Sequence, residues 1–109
     1  MAQGSGVTLE FDHTRIPAME GALDCIRQKF IPGGLVNNRK YLEPQVRFDS
    51  IVPEEIQTLM FDPQTSGGLL ISVAKEHAED LASALQRRRV PCFQIGRVLA
   101  RESSLLHVV

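Results

Sequence analysis

The chain has 109 residues, with 12 Lys+Arg against 13 Asp+Glu, a net charge of -1, 43% hydrophobic residues, no Trp and two Cys. That length makes one domain, residues 1–109, large enough to bury a core, and the balanced charge excludes a primary electrostatic grip on nucleic acid. No apolar run approaches the roughly 20 residues that span a bilayer, Met1 to Gly6 carries no signal-peptide pattern, and Cys25 and Cys92 stand too far apart for a cysteine-rich zinc site or a disulfide scaffold. A cytoplasmic globular domain with no membrane association is expected.

Val7-Thr8-Leu9-Glu10-Phe11 alternates apolar and polar residues, the period of a half-buried strand. Met19, Leu23, Ile26 and Phe30 recur at helical spacing; Pro17 suits the first turn of that helix and Pro32-Gly33-Gly34 its end. Leu35 to Pro44 is polar and mixed, which predicts a short irregular or helical piece, and Val46-Arg47-Phe48 alternates as a brief strand. Pro53-Glu54-Glu55 opens another helix, with proline early and carboxylates at the positive end of the dipole. Ile56, Leu59 and Met60 form its apolar stripe, and Asp62-Pro63 stops it.

Leu69-Leu70-Ile71-Ser72-Val73 is a nearly continuous apolar run and predicts a central strand covered on both faces. Lys75 to Arg89 predicts the clearest helix, striped by Ala78, Leu81, Ala82 and Leu85, with Arg87-Arg88-Arg89 where the dipole favours cations. Phe93 to Leu99, interrupted at Gly96, and Leu105 to Val109 predict the last two strands. Strand, helix, strand, helix, strand, helix, strand, strand is an α+β order: a mixed β-sheet packed with helices, with a partly ferredoxin-like topology.

The strongest candidate for chemistry is Asp62-Pro63-Gln64-Thr65-Ser66-Gly67-Gly68. Two glycines admit close backbone approach, and Thr65 and Ser66 bring hydroxyls beside exposed N–H groups, the makings of an anion-binding nest. It is not a Walker loop, because no Lys follows the glycines and the next predicted element is a strand. The segment is therefore either a structural turn or a phosphate-facing loop. Gly33-Gly34 with Asn38, Arg39 and Lys40 behind it is the second candidate: either a helix C-cap leading into a solvated loop, or a place where Arg39 and Lys40 meet phosphate and Asn38 bonds a ligand. His13, His77 and His107 lack ligand-like spacing, and Cys25 and Cys92 read as packing residues. No catalytic residue and no metal set can be assembled from these.

Asp62-Pro63-Gln64-Thr65-Ser66-Gly67-Gly68-Leu69-Leu70 resembles the signature of selenophosphate synthetases (selenide, water dikinases). Three more segments agree in order. Met1 to Val7 resembles the entry into the C-terminal domain of that family. Phe30-Ile31-Pro32-Gly33-Gly34 followed by Asn38 resembles its proline-glycine-glycine loop, and Ile95-Gly96-Arg97-Val98 resembles a late strand. The resemblance covers essentially the whole chain. It implies the fold of aminoimidazole ribonucleotide synthetase-type C-terminal domains, and a parent enzyme that converts selenide, ATP and water to selenophosphate, AMP and phosphate with magnesium.

The family's reactive cysteine or selenocysteine and its metal-binding aspartates lie N-terminal to the part matched here, so the resemblance implies a domain inactive alone. Its partners would be the N-terminal half of the same enzyme and, in the parent, a second copy in a homodimer. Gly33, Gly34, Asn38, Asp62, Gln64, Thr65, Ser66, Gly67 and Gly68 carry over as loops that shape the cleft against that half. Leu35 and Val36 depart from the polar or basic residues of many relatives. A small ligand-binding regulatory or docking module of ferredoxin-like topology is the alternative.

Overall fold

A computed structural model describes residues 1–109. A short helix α1 (Ala2–Ser5) ends on Gly6, whose φ of 63° turns the chain into strand β1 (Val7–Phe11). The alternation of β1 places Leu9 on one face and Thr8 and Glu10 on the other. Strand β2 spans Val46–Phe48, β3 spans Gly96–Ala100 and β4 spans Leu106–Val108. The sheet has four strands in the order β2-β4-β1-β3, with β1 antiparallel to β3 and parallel to β4, and β2 parallel to β4. It is the mixed sheet of an α+β fold, with five helices around it.

Gly96 does not interrupt β3 but begins it, opposite Phe11. A Cβ at Gly96 would overlap the carbonyl oxygen of Glu10, so the close approach of β1 and β3 requires glycine at this position.

On one face, Leu9, Val108 and Phe61 join Leu35 and Val52 as the buried core. On the other, the register aligns one residue from every strand: Arg47, His107, Glu10 and Arg97. His107 is 8% exposed; its Nε2 lies 2.9 Å from Asp49 Oδ1, and an Arg47 Nη2 lies 2.7 Å from its Nδ1. Glu10 accepts from Arg97 Nε at 2.7 Å, which keeps the guanidinium pKa raised. No local pattern announces this row, because it exists only once four distant segments share a register.

Helix α2 is shorter than its stripe predicts, Ala22–Arg27, and Met19 and Phe30 are exposed beyond its ends. The cause is an early stop. Lys29 takes φ 62°, its N–H bonding Ile26 O while the Phe30 N–H bonds Cys25 O, the paired bonds of a Schellman end with lysine in the glycine position. Pro32-Gly33-Gly34 is thereby left to open the next helix, α3 (Gly33–Leu42), with Pro32 as its N-cap. Of the two forms open to Leu35–Pro44, irregular or helical, the structure takes the helix, ten residues long from Gly33 and anchored by the fully buried Leu35.

Helix α4 (Glu54–Leu59) follows Pro53 as expected and packs on α2, where Arg27 reaches Glu55 at 3.3 Å. A turn of 3₁₀ helix at Lys75–His77 leads into α5 (Ala78–Arg87), which ends like α2, with Arg89 at φ 59°. The strand predicted at Leu69–Val73 does not form. Leu69 is 91% exposed, Leu70, Ile71 and Val73 are exposed as well, and the segment joins no ladder. An apolar run specifies burial without specifying a partner, and both sides of the central strands β1 and β4 are already taken. No helix is long and apolar enough to cross a membrane.

Candidate functional site

The two glycine-bearing motifs meet. Gly34, in the first turn of α3, lies against Pro63, so that a Cβ there would sit 2.9 Å from Pro63 Cγ. One turn further along α3, Asn38 Nδ2 donates to the carbonyl of Phe61 at 3.1 Å. Together the two contacts join the start of α3 to the start of the Asp62–Gly68 loop. The reading of Gly33-Gly34 as a C-cap into a solvated loop is overturned: these glycines are the N-terminal turn of a helix. The first N–H groups of such a turn have no intrahelical partner and carry the positive end of the dipole.

The loop itself leaves α4 through Asp62, whose N–H bonds Leu59 O at 3.0 Å and whose carbonyl accepts from Gln64 N at 3.0 Å. Asp62 is half-buried, and Pro63 through Gly68 are exposed. Gln64 folds back over Gly67, where a Cβ would meet its Oε1 at 2.8 Å. Gly68 has nothing within 4 Å of a built Cβ and no positive φ. Thr65 and Ser66 are exposed in the same stretch. Gly33, Gly34, Asn38 and Asp62 through Gly68 are therefore brought together, half-buried at Asn38 and Asp62 and exposed at the glycines and from Pro63 to Gly68.

Arg39 does not face outward to meet an anion, one of the roles open to it in the sequence. Its Nη1 lies 2.7 Å from Glu54 Oε1 and its Nε 3.3 Å from Glu43 Oε1. The hydrogen bond to Glu54 is the main cause raising its pKa, against partial desolvation. Lys40 is exposed beside an open cleft of about 530 Å³ that Val36, Glu43 and Glu54 also line. A second open cleft of about 440 Å³ lies between Thr14–Pro17 and Cys92–Gln94. Neither includes any residue of the Asp62–Gly68 loop.

Cys25 and Cys92 are exposed free thiols, not the packing residues expected. No group of three or more His, Cys, Asp and Glu side chains converges to hold a metal ion. Backbone N–H groups at the start of α3 and the hydroxyls of the exposed Thr65 and Ser66 are of the kind that bind the oxygens of a phosphate.

All 109 residues match the family described as AIR synthase related protein, C-terminal domain, and the chain belongs to it. Among curated proteins, it is 45% identical over 99% of its length to a selenide, water dikinase of Caldanaerobacter subterraneus subsp. tengcongensis. It is 40% identical over 100% of its length to selenide, water dikinase 2 of Peptoclostridium acidaminophilum, and 39% identical over 99% to a selenide, water dikinase of Treponema denticola. The resemblance to selenophosphate synthetases thus holds across the chain. The chain spans only 31% of the length of the first two relatives and 32% of the third.

Proposed function

We propose that this chain is the C-terminal domain of an enzyme that makes selenophosphate from selenide, ATP and water, and that its Asp62–Gly68 loop forms one wall of the cleft in which phosphoryl groups are handled. The junction of Asn38 with Phe61 carries the reading, because it turns two motif segments 23 residues apart into a single supported unit. Positioning is the contribution such a wall makes: a group held in a near-attack geometry removes entropy from the barrier, and no acid, base or metal ligand need come from this side. Magnesium, ATP and the nucleophile belong to the remainder of the parent protein, whose N-terminal half is the partner and which acts as a homodimer in the cytoplasm.

Gly68 supplies the test. Its substitution by Ala meets no atom of the chain, so stability should stay within about 0.5 kcal/mol. If a phosphoryl group or the facing domain approaches this backbone, the same methyl in the parent enzyme should lower kcat/KM by about tenfold or more. Turnover indistinguishable from wild type would leave the loop a structural turn. The isolated chain should form no selenophosphate and gain little melting temperature from ATP. A clear thermal shift would favour the small ligand-binding module instead.

A further inference from the structure

Arg39 follows Asn38 on α3, and the two side chains reach the same residue from different sides. Asn38 holds the Phe61 carbonyl at 3.1 Å, while the guanidinium carbon of Arg39 lies 5.8 Å from the Phe61 ring centroid. That ring is 4% exposed and meets Phe48 of β2 edge-on at 5.9 Å. Arg39 also bonds the buried Thr58 hydroxyl at 3.3 Å, Glu54 at 2.7 Å and Glu43 at 3.3 Å. Glu54 and Glu43 already occupy the guanidinium, so an incoming phosphate would have to displace them to reach it. The same contacts hold the fork still over Phe61, the residue directly before Asp62.

We infer that Arg39 is a positioning residue for the Asp62–Gly68 loop, gripping α4 at Thr58 and Glu54 and the ring of Phe61 so that Asp62 leaves the helix in one direction. What the loop is positioned for rests on the function proposed above; that Arg39 positions it does not.

The experiment pairs hydrogen exchange on this chain with steady-state kinetics of the parent-length protein, using Arg39→Met, Arg39→Lys and Glu54→Gln. In Arg39→Met the amides of Asp62 and Gln64 should exchange about tenfold faster relative to sheet amides such as Leu9 and Leu99, with Arg39→Lys restoring part of the protection. In the parent-length protein kcat should fall about tenfold while KM for ATP stays within about twofold. Glu54→Gln, which leaves the arginine in place, should give a smaller effect of the same kind and carries the test if Arg39→Met fails to fold. Loop amides that change no more than sheet amides would overturn the inference and make Arg39 only a tie between helices. A raised KM with kcat intact would also overturn it, because Arg39 would then bind phosphate itself. If the loop amides open as expected but kcat and KM both hold, the positioning stands and the phosphoryl-facing reading of the loop fails.

Discussion

The imidazole of His107 and the carboxylate of Asp49 meet at 2.9 Å inside the row of charges that crosses the sheet. Arg47, a permanent donor, stands 2.7 Å from Nδ1 and 3.1 Å from Nε2. A guanidinium N–H needs a lone pair, and Nε2 uses its position to donate to Asp49, so Nδ1 is the acceptor and the neutral ring carries its proton on Nε2. Nitrogen-15 shifts of the uncharged His107 ring should show that tautomer. Asp49→Ala leaves a buried N–H without its partner and should cost about 1–2 kcal/mol in urea denaturation. Asp49→Asn keeps an acceptor oxygen and should cost less.

Gly34 is tested through its contact with a rigid ring. A methyl there forces Pro63 to move, an overpacking cost of about 1–3 kcal/mol, against a gain of up to about 1 kcal/mol from replacing a helical glycine. The net should be a loss of about 1 kcal/mol in Gly34→Ala, accompanied by faster exchange at Asp62. Gly68→Ala, with open space around it, is the control.

Two helices end on a charged residue where glycine is the easier choice. Lys29 at φ 62° and Arg89 at φ 59° each occupy the left-handed region. Lys29→Gly and Arg89→Gly should each stabilise the chain by about 0.5–1 kcal/mol, read as a raised melting temperature, because the strain of a Cβ in that region is removed. Alanine at either position keeps the strain and should give no gain.

Acid should act on the turn after β1. Asp12 accepts from the Thr14 hydroxyl at 2.6 Å and from the Thr14 N–H at 2.9 Å, and the hydroxyl is the main cause holding its carboxyl below the ordinary value. Glu55 is likewise depressed, first by a backbone hydrogen bond and then by Arg27. A carboxylate depressed in the folded state stabilises fully above its unfolded value, near pH 4, and loses that contribution as pH falls through the folded one. The stability advantage of wild type over Thr14→Val should therefore be constant from neutrality to about pH 5 and shrink below about pH 4. An advantage that grows in acid would contradict the assignment.

Much of this was legible residue by residue. The alternation of Val7–Phe11 is a strand, Pro53-Glu54-Glu55 starts a helix, and the stripe around Leu81 and Leu85 is a helix. Each of these signals is local, and each element forms from its own residues. Pro32-Gly33-Gly34 misleads because proline and glycine mark both ends of helices, and the deciding event is the left-handed turn at Lys29, a residue with no preference for it. Leu69–Val73 misleads because composition cannot name a pairing partner. Both candidate motifs stood out from their residue types, but the bond from Asn38 to Phe61 and the grip of Arg39 cross from one helix to another. Spacing along a chain carries no trace of that.

The place of β1 has a consequence for how the domain is made. It lies between β3 and β4, so the first strand finds both neighbours near the far end of the chain, and Thr8 bonds the carbonyl of Ser104, 96 positions away. On the ribosome, β1 is synthesised long before either partner exists, and the sheet cannot close until translation has passed Val108. Such distant pairing predicts slow folding for a domain of this size. Until then the nascent chain depends on its helices, or on a chaperone, to keep Leu9 and Phe11 away from other chains.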